Sequence, residues 1–314
     1  RHPRVTQRLL HGDAHHRVTL FPGPAGSRRA VVCFEPGRER MAGFEPAAAP
    51  HFAARLELDA LVVQTARRDW FLSPASPALA AALRRATANY AEVCLSGFSM
   101  GGYGALLYSA ACHGVRAMVV SPQYCIDPAV APWDHGRHDK FRRIGQPMPL
   151  PQSQGDPRLG GIVLYDPAIP EDRQHARHVL KAFPAMTGVA LPHGGHPASG
   201  VLGEAGRVGR IAEMVIADRI DGAALRDLHR RARRNSARYR LNLALAGAAR
   251  HGAHALPVLA ELARTAAPRL RLEAGLALLP LDREQGIAAL LQLLDDTPEA
   301  PRAWAGRIER ALAS

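Results

Sequence analysis

The sequence predicts an α/β protein: a doubly wound, mostly parallel sheet over residues 1–220, then a small all-α domain over 221–314. Three observations carry this reading. Short apolar runs without polar alternation recur through the first two-thirds, as in strands covered on both faces. Stretches with helical spacing separate them, and repeated strand–helix alternation argues for a parallel sheet. After about residue 221 the strand-like runs stop, and Leu and Ala recur at helical spacing to the end.

Taken in order, the strands fall at 17–21, 30–34, 60–64, 92–96, 117–121, 161–165 and 187–191. Helices are expected at 77–91, 101–112, 171–183 and 206–216. The segment 122–159, rich in Pro, Gly and Gln, has no clear period and reads as a lid-like excursion over the site. Beyond it, 241–263 and 272–294 are alike, and each reads as a pair of short antiparallel helices. Their period of about thirty residues lies in the range of helical repeats, and they resemble degenerate HEAT-type units.

Composition narrows the function. The apolar fraction of 47% is enough for a substantial core. A net charge of +12 raises the question of nucleic acid. Yet Lys140 and Lys181 are the only lysines, and the arginines that carry the charge are scattered, so no nucleic-acid partner is expected. The one dense run, Arg226 to Arg240, reads as a solvated helix face joining two domains. Tyr239 is its lone aromatic, too few for base stacking. No apolar run reaches the length of a membrane span. The first seventeen residues are polar and His-rich, unlike a secretory leader, so the expected location is the cytoplasm. Cys33, Cys94, Cys112 and Cys125 have no CxxC spacing and read as buried thiols in a reducing compartment, with no metal site indicated.

The chemistry concentrates at Gly97-Phe98-Ser99-Met100-Gly101, between an apolar strand and a helix. In a G-x-S-x-G turn the chain reverses sharply, the glycines sit where a β-carbon would clash, and the serine hydroxyl is presented at the top of the sheet. The following helix turns its amides toward developing negative charge, with the Met100 amide as one oxyanion donor. A serine needs a base, and the base needs an orienting acid. Downstream, Asp166-Pro167-Ala168-Ile169-Pro170 and Gly194-Gly195-His196-Pro197 each follow a strand. The chain order is Ser, acid, His, and both groups fall at strand C-terminal ends, where open α/β sheets place their sites.

On these residues the chain over 30–216 resembles the α/β-hydrolase superfamily. The elbow at 97–101 matches, Asp166 to Pro170 resembles the D-x-x-V-P signature at the acid, and Gly195-His196 resembles the G-H signature of the catalytic histidine. Ser99-Met100-Gly101-Gly102-Tyr103, with Ser121-Pro122-Gln123 and Ile126-Asp127-Pro128, is similar to a bacterial subgroup found beside surface-polysaccharide and glycosyltransferase proteins. The resemblance implies that Asp166 orients His196 and that His196 takes the proton of Ser99. Asp172, a routine helix-dipole partner in the first turn of the next helix, is the alternative acid, and Asp127 a further one; His193 is the alternative base.

The second oxyanion amide is expected from Glu35-Pro36-Gly37-Arg38, with Gly37 foremost, although the H-G-G-G of lipases is missing. Arg68 reads as a site for an anionic substrate group, Trp70 as a platform for a sugar or acyl chain, and Gln123 as facing the pocket. The expected activity is hydrolysis or transfer of an acyl group, a carboxylic ester foremost, on a small-molecule or glycan-linked substrate, with no metal or organic cofactor. The rival reading is a non-catalytic binding or scaffold protein in bacterial surface-polysaccharide biosynthesis or export. In either reading the C-terminal helices offer a surface for a protein partner.

Overall fold

The computed structural model describes residues 7–24, 26–38 and 41–313. One eight-stranded sheet runs through the first two-thirds of the chain. Its strands are β1 (Arg8–Gly12), β2 (His16–Phe21), β3 (Arg29–Phe34), β4 (Asp59–Thr65), β5 (Glu92–Phe98), β6 (Gly114–Val120), β7 (Gly160–Tyr165) and β8 (Met186–Ala190). The order across the sheet is β1-β2-β4-β3-β5-β6-β7-β8. Strands β3 to β8 are parallel, while β2 pairs antiparallel with β4 and β1 antiparallel with β2. The expected parallel strands are all present. Strand β1 had no apolar run to announce it, because this edge strand, RLLHG, is largely open to solvent and buries little.

Two apolar layers sandwich the sheet. On one face Val32, Leu61 and Leu95 pack under α2 (Ser76–Thr87), α3 (Met100–Leu107) and α5 (Pro170–Ala182), through Leu79, Tyr103 and Val179. On the other, Val31, Cys94 and Met118 pack under α1 (His51–Arg55), α6 (Gly200–Glu204), α7 (Val208–Ile216) and α8 (Gly222–Ala232), through Phe52, Leu202, Ile211 and Leu225. Helix α3 is buried on every side, as its apolar, charge-free sequence MGGYGALL requires. The sequence order reverses direction at β3, so the carboxyl ends of β3 and β5 bound a crevice.

The excursion contains α4 (His135–Ile144) and a short turn of 3₁₀ helix at 151–153, where no period was legible. Helix α4 fully buries none of its residues, and its sequence is too polar to show a broad apolar stripe. Phe141 and Ile144 rest partly buried against the core, and a buried polar tie adds to them. His175 on α5 donates from Nε2 to Asp134 at 2.9 Å, and its Nδ1 accepts the Tyr124 amide at 3.1 Å. Arg137 adds a bond to Asp134 at 2.8 Å. Burial opposes the Asp134 charge, but His175 and Arg137 outweigh it and hold the carboxyl below the usual carboxylate range.

The remaining helices are α9 (Ala237–Gly247), α10 (Gly252–Thr265), α11 (Pro268–Leu278), α12 (Arg283–Asp295) and α13 (Arg302–Ala313). Helices α9 to α11 close around Leu241, Leu259 and Leu270, and α11 to α13 around Leu272, Leu293 and Trp304. The arginine-rich run is split between α8 and α9 by a break ending at Ser236, whose hydroxyl caps α9. No helix among the described residues is long and apolar enough to cross a membrane. The cysteines Cys33, Cys94, Cys112 and Cys125 are all free thiols.

Replacing His175 by Ala leaves the buried Asp134 carboxylate without its main partner. The expected loss is about 3 kcal/mol of stability, read as a lower midpoint in urea or thermal unfolding.

Candidate active site

Ser99 occupies the turn from β5 into α3 with φ 53° and ψ −119°, dihedrals that side chains rarely adopt. The turn is too tight for side chains at its flanks. A β-carbon on Gly97 would lie 2.1 Å from the Gly101 oxygen, and one on Gly101 would lie 2.3 Å from the Phe34 oxygen. The Ser99 amide donates to the Val120 oxygen at 2.9 Å, and the Gly102 amide to the Ser99 oxygen at 2.9 Å. These bonds tie the strained residue to β6 and to its own helix.

The hydroxyl meets His196. Its Oγ lies 2.8 Å from His196 Nε2. His196 Nδ1 lies 2.9 and 3.0 Å from the two oxygens of Asp172. A carboxylate only accepts, so Nδ1 carries the proton and Nε2 is left to accept from Ser99. A fourth residue joins the row. The Trp70 indole, which can only donate, bonds Gln123 Oε1 at 3.2 Å. That turns the Gln123 amide nitrogen toward Ser99 Oγ, 2.9 Å away. Ser99 therefore accepts from Gln123, and its own proton points to His196.

The sequence singled out Asp166 as the acid; the structure sets Asp172 against His196 instead. Asp166 takes the amides of Ala168 and His193 on Oδ1, at 2.9 and 3.0 Å, and of Gly195 on Oδ2 at 2.9 Å. These backbone donors hold both of its oxygens, and it shapes the 193–195 loop rather than meeting the imidazole. Asp172 lies in the first turn of α5, yet the N-cap is Ile169 with no side-chain cap bond. Its buried carboxylate turns to His196, whose side chain keeps 29% of its surface exposed. His193 does not reach the serine row: its ring packs edge-on against Tyr239, at 5.8 Å between centroids.

Trp70, expected as a platform in the crevice, is only 2% exposed. Its place is beneath Gln123, in a segment where both Trp70 and Phe71 have positive φ. Asp69 holds that segment, accepting the Thr65 hydroxyl at 2.7 Å and the Phe71 amide at 3.0 Å. Gly37 packs against the Arg68 guanidinium, 2.9 Å from where its β-carbon would be. The Glu35 amide already donates to the Val63 oxygen at 3.1 Å. Pro36 has no N–H, so the Gly37 and Arg38 amides are the donors this loop has left. The Glu35 side chain accepts from Gln64 at 2.9 Å, and burial raises its pKa, which lowers any repulsion toward an oxyanion.

The His196 loop is braced from outside the sheet. Asn242 on α9 donates to the His193 oxygen at 3.0 Å and packs against Gly195, where a β-carbon would come within 2.7 Å of its amide nitrogen. His229 on α8 donates from Nε2 to the Pro192 oxygen at 2.9 Å. No group of three or more His, Cys, Asp or Glu among the described residues is arranged to hold a metal ion.

A serine on a strained turn after β5, an imidazole and a buried carboxylate thus meet at the carboxyl edge of a sheet ordered β1-β2-β4-β3-β5-β6-β7-β8. The fold is that of the α/β-hydrolases. No family model matches the chain, and no curated protein matches it in sequence. Among solved structures it is similar to an acetyl ester-xyloside bifunctional hydrolase from Caldicellulosiruptor lactoaceticus, at 14% identity, covering 67% of this chain and 95% of that one, TM-score 0.49. It is similar also to Est1E from Butyrivibrio proteoclasticus, at 13% identity over 66% of this chain and 98% of that one, TM-score 0.42. A dienelactone hydrolase from Anabaena variabilis matches at 12% identity over 68% of this chain and 99% of that one, TM-score 0.42.

Burial pushes the Asp69 carboxyl up to about 6 from 3.8. In a folded protein that disfavours its charge, the group stabilises fully only below about pH 4 and loses that contribution as pH rises through 6. Asn at this position keeps the accepting oxygen and has no charge. Asp69→Asn is therefore expected to be more stable than the parent at pH 7, by up to about 2–3 kcal/mol, with the difference vanishing near pH 4 in thermal unfolding.

Proposed function

We propose that the chain is a serine hydrolase that cleaves or transfers acyl groups, with carboxylic esters as its substrates, through Ser99, His196 and Asp172. The observation that carries the reading is the row of hydrogen bonds from Gln123 through Ser99 and His196 to Asp172, built on the strained dihedrals of Ser99. A non-catalytic module would have no use for a strained serine whose proton is aimed at an oriented imidazole.

In the first half-reaction Ser99 Oγ attacks the ester carbonyl carbon and its proton passes to His196 Nε2. The resulting oxyanion is held by the Met100 and Gly37 amides. Collapse of the tetrahedral intermediate expels the alcohol, which takes the proton from His196 and leaves an acyl-Ser99 ester. In the second half-reaction His196 takes a proton from water or from an acceptor hydroxyl, whose oxygen attacks the acyl carbon. Ser99 leaves with that proton. Asp172 stays ionised throughout, fixes the imidazole tautomer and stabilises the imidazolium. Gln123 keeps the hydroxyl aligned before attack. An acceptor hydroxyl on a sugar would make the same cycle an acyl transfer.

A fluorophosphonate probe tests this directly. The parent is expected to label, and Ser99→Ala and His196→Ala are not. Asp172→Asn is expected to slow labelling by a factor on the order of 10³–10⁴, whereas Asp166→Asn lowers stability by about 1–3 kcal/mol and slows labelling far less. Absence of labelling in the folded parent removes the hydrolase reading. Asn242→Ala loosens the loop that carries His196 and is expected to slow labelling about tenfold or more, with the unfolding midpoint nearly unchanged.

A further inference from the structure

A second cavity of about 750 Å³ lies beside the carboxyl end of β4, between the 67–74 segment and α4. That volume suits a small ligand. Arg67, Arg68, Lys140 and Arg143 line it. Among the described lining residues the one carboxylate, Asp69, turns inward to Thr65 and the Phe71 amide.

Several arginines elsewhere are matched by acids, Arg116 by Glu92 and Asp218, Arg240 by Glu261, and Arg271 by Asp296. In this cavity Arg67, Lys140 and Arg143 form no ion pair among the described residues. Burial, then the charges of Arg137, Arg68 and Arg143, pull the Lys140 pKa down against the opposing pull of Asp134. A half-buried concavity lined by like charges focuses a positive potential that an anion relieves.

The cavity adjoins the serine site at two points. The Arg68 guanidinium packs against Gly37, in the loop that lies on the elbow. Lys140 also lines a smaller recess, of about 260 Å³, shared with His196 and Asp172. The larger cavity on the other face, about 950 Å³, instead sets Glu35 and Glu213 among Arg55, Arg207 and Arg210, with Glu213 paired to both Arg55 and Arg210.

We propose that the cationic cavity holds the anionic end of the substrate, so that the ester opened at Ser99 carries a carboxylate or a phosphate-type anion at its non-reacting end. This rests on the serine-hydrolase reading.

The test compares p-nitrophenyl valerate with the mono-p-nitrophenyl esters of succinic, glutaric and adipic acids and of phosphonobutyric acid. The parent is expected to favour at least one anionic ester over the neutral one in kcat/KM by about tenfold or more at low salt. The double variant Lys140→Gln, Arg143→Gln is expected to lose that preference, and the better arm identifies carboxylate or phosphonate. Calorimetry of glutarate with Ser99→Ala, with and without the double change, reads the cavity apart from catalysis. The expected weakening is about tenfold or more. An unchanged ester ratio together with unchanged glutarate affinity overturns the proposal. An unlabelled Ser99 with glutarate binding that depends on Lys140 and Arg143 counts against the hydrolase reading and for the cavity. A labelled Ser99 with no such dependence counts the other way.

Discussion

The close backbone approach at Gly97 and Gly101 is the constraint on which the site depends. With the Gly101 oxygen where a Gly97 β-carbon would go, and the Phe34 oxygen where a Gly101 β-carbon would go, β3, β5 and α3 converge to contact. Only in that geometry can Ser99 take up its positive φ. Such a residue costs about 1–3 kcal/mol and persists only where its surroundings over-determine it. The buried α3, the bond to Val120 and the parallel pairing of β5 with both β3 and β6 do so. The same convergence lays the loop that begins at Glu35 on the elbow, so Ser99 and that loop are positioned by one packing event.

Two carboxylates near the histidine have been assigned different work by what takes their lone pairs. Asp166 accepts three backbone amides and serves as a hydrogen-bonded brace of the 193–195 loop. Asp172 is as deeply buried, but both of its oxygens face His196 Nδ1. A buried carboxylate is stable only with partners, so each acid is committed to its own. Gln123 follows the same logic: the indole of Trp70 can only donate, which leaves the glutamine only its nitrogen for Ser99.

The helices beyond the sheet are not an appendage to this arrangement. Asn242 and His229 bond the main-chain oxygens of His193 and Pro192, and Tyr239 packs on the rings of both His193 and His229. Whatever shifts α8 or α9 therefore also shifts the loop that presents His196. On the opposite rim, α4 is held by the His175–Asp134 pair and contributes Lys140 and Arg143 to the cationic cavity. One buried polar tie thus sets where those two charges stand.

Local signals by themselves determined the α/β class, the strands from β2 onward and the strained elbow at Ser99. Each rests on neighbours in the chain: apolar runs and glycines at fixed offsets. The tertiary structure decided between Asp166 and Asp172, buried Trp70 beneath Gln123, formed α4 and joined Asn242 to the histidine loop. These outcomes depend on which donors meet which acceptors across segments far apart in sequence. A carboxylate's role follows from its partners in space, and no spacing along the chain records them.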